Sequence, residues 1–185
     1  MSEPLVLASR SPQRRAILVQ LGVDFRVEPA GVEEETHGDP RAVVVENALR
    51  KARAVEGGRV LGVDTIVVLD GRILGKPDGQ EQAETYLRRL SGRRHEVWSG
   101  IALREHGAER TSTSRTRVRF RRLEEPELRW YLETGEWRER AGGYAIQGRG
   151  AALVEGIDGD FWNVVGLPVP ELLRLAPDLA RAGDS

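Results

Sequence analysis

Residues 59–69 read RVLGVDTIVVL. Beyond Arg59, the only polar residues in the run are Asp64 and Thr65. A short, β-branched, strongly apolar run settles as a strand inside a core. Asp64 therefore limits the fold more than any other residue. An ionised carboxylate removed from water is costly unless a partner comes with it. The fold must bring a metal ion, a lysine or a cluster of backbone N–H groups to this strand. Asp70-Gly71 follows as a hairpin signal, and the chain returns through RILGKP. In a two-residue hairpin Leu69 pairs with Arg72, Thr65 lies opposite Lys76, and Asp64 falls beside Pro77. Strict alternation then puts Asp64 and Lys76 on opposite faces, so their contact requires a bend or bulge. A plain structural salt bridge is the competing reading.

The flanking sequence alternates strands and helices. LVLAS (5–9) reads as a buried strand, and Ser11-Pro12 opens a helix that Gly22 ends. DFRVEP (24–29) alternates as a strand, and Asp39-Pro40 opens a second helix that stops at Gly57-Gly58. Beyond the hairpin, 81–90 is helical, and 95–105 and 111–123 are strands joined around His106-Gly107. A helix spans 125–134, a glycine-rich stretch of short β-like pieces follows, and VPELLRLA is a last helix before the tail PDLARAGDS. These elements predict an α/β domain over residues 1–176 with a frayed end at 177–185.

Arg14, Ile17, Leu18 and Leu21 share one face of the first helix, so Arg14 is directed inward and needs a partner. A helix N-terminus binds anions through its free N–H groups. Arg10, Arg14, Arg15 and the hydroxyls of Ser9 and Ser11 can complete a phosphate cradle; pairing with surface carboxylates is the plainer alternative. In the second helix Val44, Ala48, Lys51 and Val55 share a face. A lysine in such a stripe either snorkels outward or serves a site. Glu33, Glu34 and Glu35, or Asp158 and Asp160, can supply carboxylates to a hard cation, since Mg²⁺ needs only one or two besides substrate phosphates. A solvated loop is the bland reading of the glutamates.

Several classes are disfavoured. Lys+Arg number 28 against Asp+Glu 29, a net charge of -1, whereas nucleic-acid binders carry a basic excess. RTRVRFRR (115–122) aligns Arg115, Arg117, Arg119 and Arg121, which is more often the wet face of a strand backed by Val118 and Phe120. No cysteine is present, so disulfides and thiolate metal sites are ruled out. GRILGKP is one residue short of a phosphate-binding Walker loop and sits in a strand. The three histidines form no ligand set. MSEPLVLAS lacks the features of a signal peptide, and no apolar run nears the roughly 20 residues of a membrane span. A cytoplasmic protein is expected.

Four ordered segments resemble the Maf family of nucleoside triphosphate pyrophosphatases, also called septum-formation-inhibitor-like proteins. LASRSPQRRAIL resembles its S-x-S-P-R-R motif, and VDTIVVLDGRILGKP its A-D-T … G-K-P hairpin. LSGRRHEVWSGIAL is similar to L-S-G-x-x-H-x-V, and AGGYAIQGRGAALVEGIDGDFWNVVGLP to A-G-x-Y-x-I-Q-G … I-x-G-x-x-x-N-V-V-G-L-P. The likeness runs from Leu5 to about Leu173. It implies an elongated inosine-triphosphatase-like α/β fold, with a mixed β-sheet flanked by helices and two lobes around a central cleft. It implies hydrolysis between the α and β phosphates of a nucleoside triphosphate, dependent on a divalent metal cation, Mg²⁺ or Mn²⁺. Asp64 would be the proton acceptor, with Lys51 and Lys76 catalytic. Ser9 and Arg14 would contact phosphate, and Glu34 with Asp64 would hold the metal.

Base selection is implied at three positions. Thr65 and Gln147 match the branch that resembles a dTTP/UTP pyrophosphatase, whereas Gln13 replaces its arginine. Thr65 speaks against the branch acting on 7-methyl-GTP. The expected protein removes dTTP, UTP or modified pyrimidine nucleotides, with a tie to cell-division arrest implied by the family's name. It would work as a homodimer, without stable nucleic-acid or membrane partners. A non-catalytic, nucleotide-responsive regulator of septation and an RNA-binding protein using the arginine strand are the alternatives.

Overall fold

The computed structural model describes residues 4–180. Among these residues seven strands and six helices follow in the order β1 (Leu5–Leu7), α1 (Pro12–Gln20), β2 (Phe25–Val27), α2 (Pro40–Arg53), β3 (Arg59–Leu69), β4 (Arg72–Leu74), α3 (Gln80–Leu90), β5 (Arg94–Glu105), β6 (Ala108–Phe120), α4 (Glu125–Glu133), β7 (Val154–Asp158), α5 (Phe161–Val165) and α6 (Val169–Leu175). Short 3₁₀ turns stand at Ala141–Gly143, Arg149–Leu153 and Pro177–Ala180. The sheet runs β2-β1-β3-β5-β6-β7, with β4 paired to β3. It is mixed: β1 is parallel to β2 and β3, whereas β3–β4 and β6–β7 are antiparallel. Among the described residues no helix is long and apolar enough to cross a membrane.

The chain packs as two compact units, and β3, β5 and β6 contribute residues to both. The first unit takes the described residues up to Thr65, Ser99–Ser114, and those from Gly166 onward. Its α1 begins as the sequence predicts, with Ser11 as N-cap and Pro12 as first helical residue. Asp39 caps α2 in the same way, its side chain accepting from Ala42 N–H at 2.9 Å. The helix stops at Arg53, short of the glycine pair. One core cluster of this unit, which includes Ala48 and Ala52 of α2, is made of small residues: Val6, Ala8, Ala48, Ala52, Val55, Val60 and Ala102. Small side chains let α2 lie almost on the backbone of the sheet. A Cβ on Gly62 would stand 2.0 Å from the Ala48 carbonyl oxygen, and one on Gly100 2.3 Å from that of Val44. Real Cβ atoms do not approach backbone so closely, so only glycine fits beneath α2. Of the tail expected over 177–185, Pro177–Ala180 forms a 3₁₀ turn. Asp178 pairs with Arg59 and Leu179 is buried, while 181–185 lie outside the described residues.

The second unit comprises Ile66–Trp98 and Arg115–Val165. Its core is larger and more aromatic, built from Leu87, Leu90, Phe120, Tyr131, Trp137 and Tyr144 with Val67 and Leu69 of β3. The predicted hairpin forms, with Leu69 opposite Arg72 and both turn residues at positive φ, 51° at Asp70 and 73° at Gly71. The pairing ends early, however, at Val67–Leu74. The register that would have put Thr65 opposite Lys76 is never reached, because β4 is only three residues long. The glycine-rich stretch contains β7 and a helix, α5, which the sequence reading did not anticipate.

Candidate active site

Asp64 is 3 % exposed, so its predicted burial holds. Within its own unit it pairs with Lys51. Lys51 Nζ lies 2.8 Å from Asp64 Oδ1 and 2.7 Å from Glu34 Oε1, and donates to the Val63 carbonyl at 3.2 Å. The lysine stays inside the α2 stripe, with 10 % of its side chain exposed. α2 reaches Asp64 because the two glycines beneath it admit no side chain.

The second Asp64 oxygen is held by a residue the sequence reading missed. Asn47 Nδ2 donates to Asp64 Oδ2 at 2.9 Å and to the Glu35 carbonyl at 2.9 Å. Its Oδ1 accepts from the Glu35 N–H at 2.7 Å. One buried amide thereby pins the acidic loop to α2 and brings Glu34 to Lys51. A signal was present: Asn47 stands four residues before Lys51, on the same helix face. Of the glutamates considered, Glu34 reaches the lysine, and Glu35 pairs loosely with Arg50 at 3.7 Å.

A second cluster of the same unit is built on α1. Arg14 is buried, as its place in the stripe predicts. Its Nη1 donates to Ser9 Oγ at 2.9 Å, its Nε to the Gly166 carbonyl at 2.8 Å, and its Nη2 to Thr65 Oγ1 at 3.1 Å. Thr65 Oγ1 also lies 2.8 Å from Ser99 Oγ. These three oxygens orient the guanidinium. Ser9 and Thr65 thus fix the rotamer of Arg14. The Ser11 hydroxyl is committed elsewhere, accepting from Arg14 N–H at 3.4 Å and donating to Gln13 Oε1 at 3.1 Å. Arg10 and Arg15 are exposed.

The remaining candidates lie in the second unit. Lys76 is exposed and stands 3.8 Å from Glu139. Gln147 is exposed in a turn. Asp158 pairs with Arg117 at 3.3 Å, and Asp160 Oδ1 accepts from the Trp162 N–H at 2.9 Å at the start of α5. The arginine row is matched by carboxylates: Arg115 by Glu96, Arg117 by Asp158, Arg119 by Glu155 and Arg121 by Glu127. Val118 and Phe120 between them are fully buried, so this is a wet strand face whose charge is spent locally. His95 is buried against the edges of Phe120 and Tyr144, and its Nε2 lies 2.8 Å from the Tyr144 hydroxyl. Burial pulls its pKa down to about 4.

Among the described residues no group of three or more ligating side chains could cage a metal alone. Glu34 and Asp64 nevertheless converge on one point, the Lys51 ammonium. Two carboxylates are what Mg²⁺ uses when phosphates and water complete its shell. The donor set fits such a cation.

The fold and this site define an α/β protein that holds a buried carboxylate under a lysine, with an oriented guanidinium on a neighbouring helix. The chain belongs to the Maf-like protein family, which matches residues 4–179. It is 48 % identical over 179 residues to a dTTP/UTP pyrophosphatase of Symbiobacterium thermophilum, covering 94 % of this chain and 92 % of that one. It is 48 % identical to the dTTP/UTP pyrophosphatase of Moorella thermoacetica, with 92 % of each chain covered. With that of Dictyoglomus thermophilum the identity is 43 % over 194 residues, covering 100 % and 99 %.

Proposed function

We propose that this protein is a nucleoside triphosphate pyrophosphatase that cleaves between the α and β phosphates, releasing a monophosphate and pyrophosphate. The preferred substrates are dTTP, UTP or modified pyrimidine triphosphates. The observation that carries the reading is the buried Asp64, held at one oxygen by Lys51 and at the other by Asn47. Its relatives' names point the same way.

Asp64 is the proton acceptor. Its oxygens are fixed by two donors, so a water at its free lone pairs meets a base that needs no reorganisation. Lys51 stabilises the carboxylate and offers its charge to phosphate oxygens. Arg14, oriented by Ser9 and Thr65, neutralises the leaving pyrophosphate, for which a planar guanidinium is well shaped. A divalent cation, Mg²⁺ or Mn²⁺, held by Glu34 and Asp64, would supply further charge neutralisation on the phosphates. Lys76 is assigned to transition-state charge, and Gln13, Thr65 and Gln147 to base choice. A homodimer working in the cytoplasm completes the reading.

The test is a panel of canonical and modified nucleoside triphosphates with Mg²⁺ or Mn²⁺, with products separated by chromatography. Monophosphate plus pyrophosphate, lost in Asp64→Asn, supports the assignment. Diphosphate plus orthophosphate would place the cleavage at the other anhydride, and binding without turnover would point to a regulator instead.

A further inference from the structure

Ser99 is the most deeply buried hydroxyl beside Arg14, with none of its surface exposed. It lies on β5, the neighbour of β3 in the sheet. The next residue is Gly100, over which the α2 backbone lies too closely to admit a Cβ, so this part of β5 has a fixed place. Among the described residues Ser99 Oγ has one hydrogen-bond partner, Thr65 Oγ1 at 2.8 Å.

Which of the two hydroxyls gives its proton follows from their capacity. A hydroxyl has one proton and two lone pairs. Were Thr65 the donor, the Ser99 proton would be buried without an acceptor, a loss that native interiors avoid. Ser99 is therefore the donor. The Thr65 proton is directed to the Gly166 carbonyl at 3.4 Å, and the Thr65 oxygen accepts from Arg14 Nη2 at 3.1 Å as well as from Ser99. The proton and both lone pairs of Thr65 are thereby in use. The Gly166 carbonyl closes the ring, since it also receives Arg14 Nε at 2.8 Å. Gly166 has φ 129°, which glycine adopts without strain, and a Cβ there would stand 4.0 Å from both Arg14 Nε and Thr65 Oγ1. Ser99 is the only strong hold on the Thr65 hydroxyl from the β5 side. Without it, that hydroxyl is kept in place by the long Gly166 contact and by Arg14 itself.

We propose that Ser99 is a positioning residue for the pyrophosphatase reaction: it donates to Thr65, keeps a Thr65 lone pair on Arg14, and so fixes the plane in which the guanidinium meets phosphate. The reaction rests on the pyrophosphatase reading, but the hold on Arg14 rests on these contacts alone. The Thr65 hydroxyl is spent on this network, so any part that residue takes in base choice falls to its methyl group.

The test joins three measurements on Ser99→Ala. Calorimetric titration with inorganic pyrophosphate, without divalent cation, should show affinity weakened about fivefold, the worth of one hydrogen bond. Steady-state kinetics should show kcat/KM lowered by that same factor for every triphosphate turned over. Ser99→Thr, which restores the hydroxyl, should recover most of both. Because Ser99 acts through Thr65, the double variant Ser99→Ala/Thr65→Val should lose no more than Thr65→Val alone. Side-chain nitrogen NMR, with Arg14 assigned against Arg14→Lys, should show hindered rotation about Nε–Cζ in the wild type and averaged signals in Ser99→Ala. A folded Ser99→Ala with unchanged pyrophosphate affinity and kcat/KM overturns the proposal, since a structural role would lower the melting temperature alone. A loss that differs between bases, or that adds in full to that of Thr65→Val, overturns it too. If Ser99→Ala does not fold, Thr65→Val decides, and an Arg14 guanidinium still held there counts against the chain of contacts. A wild-type protein that turns over no triphosphate defeats the pyrophosphatase reading, while the Arg14 signals still judge Ser99.

Discussion

Lys51→Met removes the ammonium from between Asp64 and Glu34 while keeping an unbranched side chain in the α2 stripe. The two lost pairs differ in weight. Glu34 keeps 37 % of its side chain in water, so its pair is worth at most about 1 kcal/mol. Asp64 keeps 5 %, and Asn47 is then its remaining donor. Stranding a buried charge costs about 3–5 kcal/mol. For a chain of this length that corresponds to a fall of about 6–20 °C in melting temperature. Urea unfolding at pH 7, with the slope checked for constancy, measures the loss directly. The decisive comparison is the double variant Lys51→Met/Asp64→Asn. With both charges gone the buried ion no longer exists, so stability should return to within about 1 kcal/mol of wild type, although activity should not. A Lys51→Met penalty below 1 kcal/mol, or a double variant that simply sums the two single losses, would refute the claim that Lys51 is the main counter-charge of the buried Asp64.

Four further outcomes follow from the same geometry. Gly62→Ala places a methyl 2.0 Å from a backbone oxygen of α2, so the helix must shift, at a cost of about 1–3 kcal/mol or more, and turnover should fall by roughly 100-fold as Lys51 and Asn47 move; Gly75→Ala, with nothing within 4 Å, is the neutral control on unfolding curves. Asn47→Ala strips three hydrogen bonds from Asp64 and the acidic loop, costing about 1–3 kcal/mol and speeding amide exchange at Glu35, which mass spectrometry can follow. His95 takes a proton in the folded protein only near pH 4, against about 6.5 unfolded, so the unfolded chain binds more protons between these values; stability should drop by about 3 kcal/mol as pH falls through that window, and His95→Gln should flatten the slope. Gln13→Arg should raise the kcat/KM preference for dTTP and UTP over purine triphosphates about fivefold or more, roughly one hydrogen bond's worth, and an unchanged ratio would remove position 13 from base choice.

How far the site could be read from sequence depended on the range of each contact. Arg14 and Lys51 were visible because a helical stripe is local: spacing alone put each on a buried face. The carboxylate in an apolar strand was visible for a similar reason, since its burial follows from its neighbours. Which cation meets it was not visible. The hairpin put Lys76 at the same end as Asp64 but on the opposite face; its register is correct at Leu69–Arg72, but the ladder ends after three pairs and carries no information beyond Leu74. The choice of Lys51 is a packing matter, settled by how closely α2 can lie on β3 and β5. Even so, the sequence carries a trace of it. Gly62 and Gly100 interrupt two apolar strands, and an isolated glycine inside a strand signals another backbone approaching. Both here lie under one helix, at Ala48 and Val44, within a turn of Asn47 and Lys51. Read as the footprint of α2, the two glycines identify the helix whose polar residues must face Asp64, and that inference points to Lys51 without any reference to the hairpin.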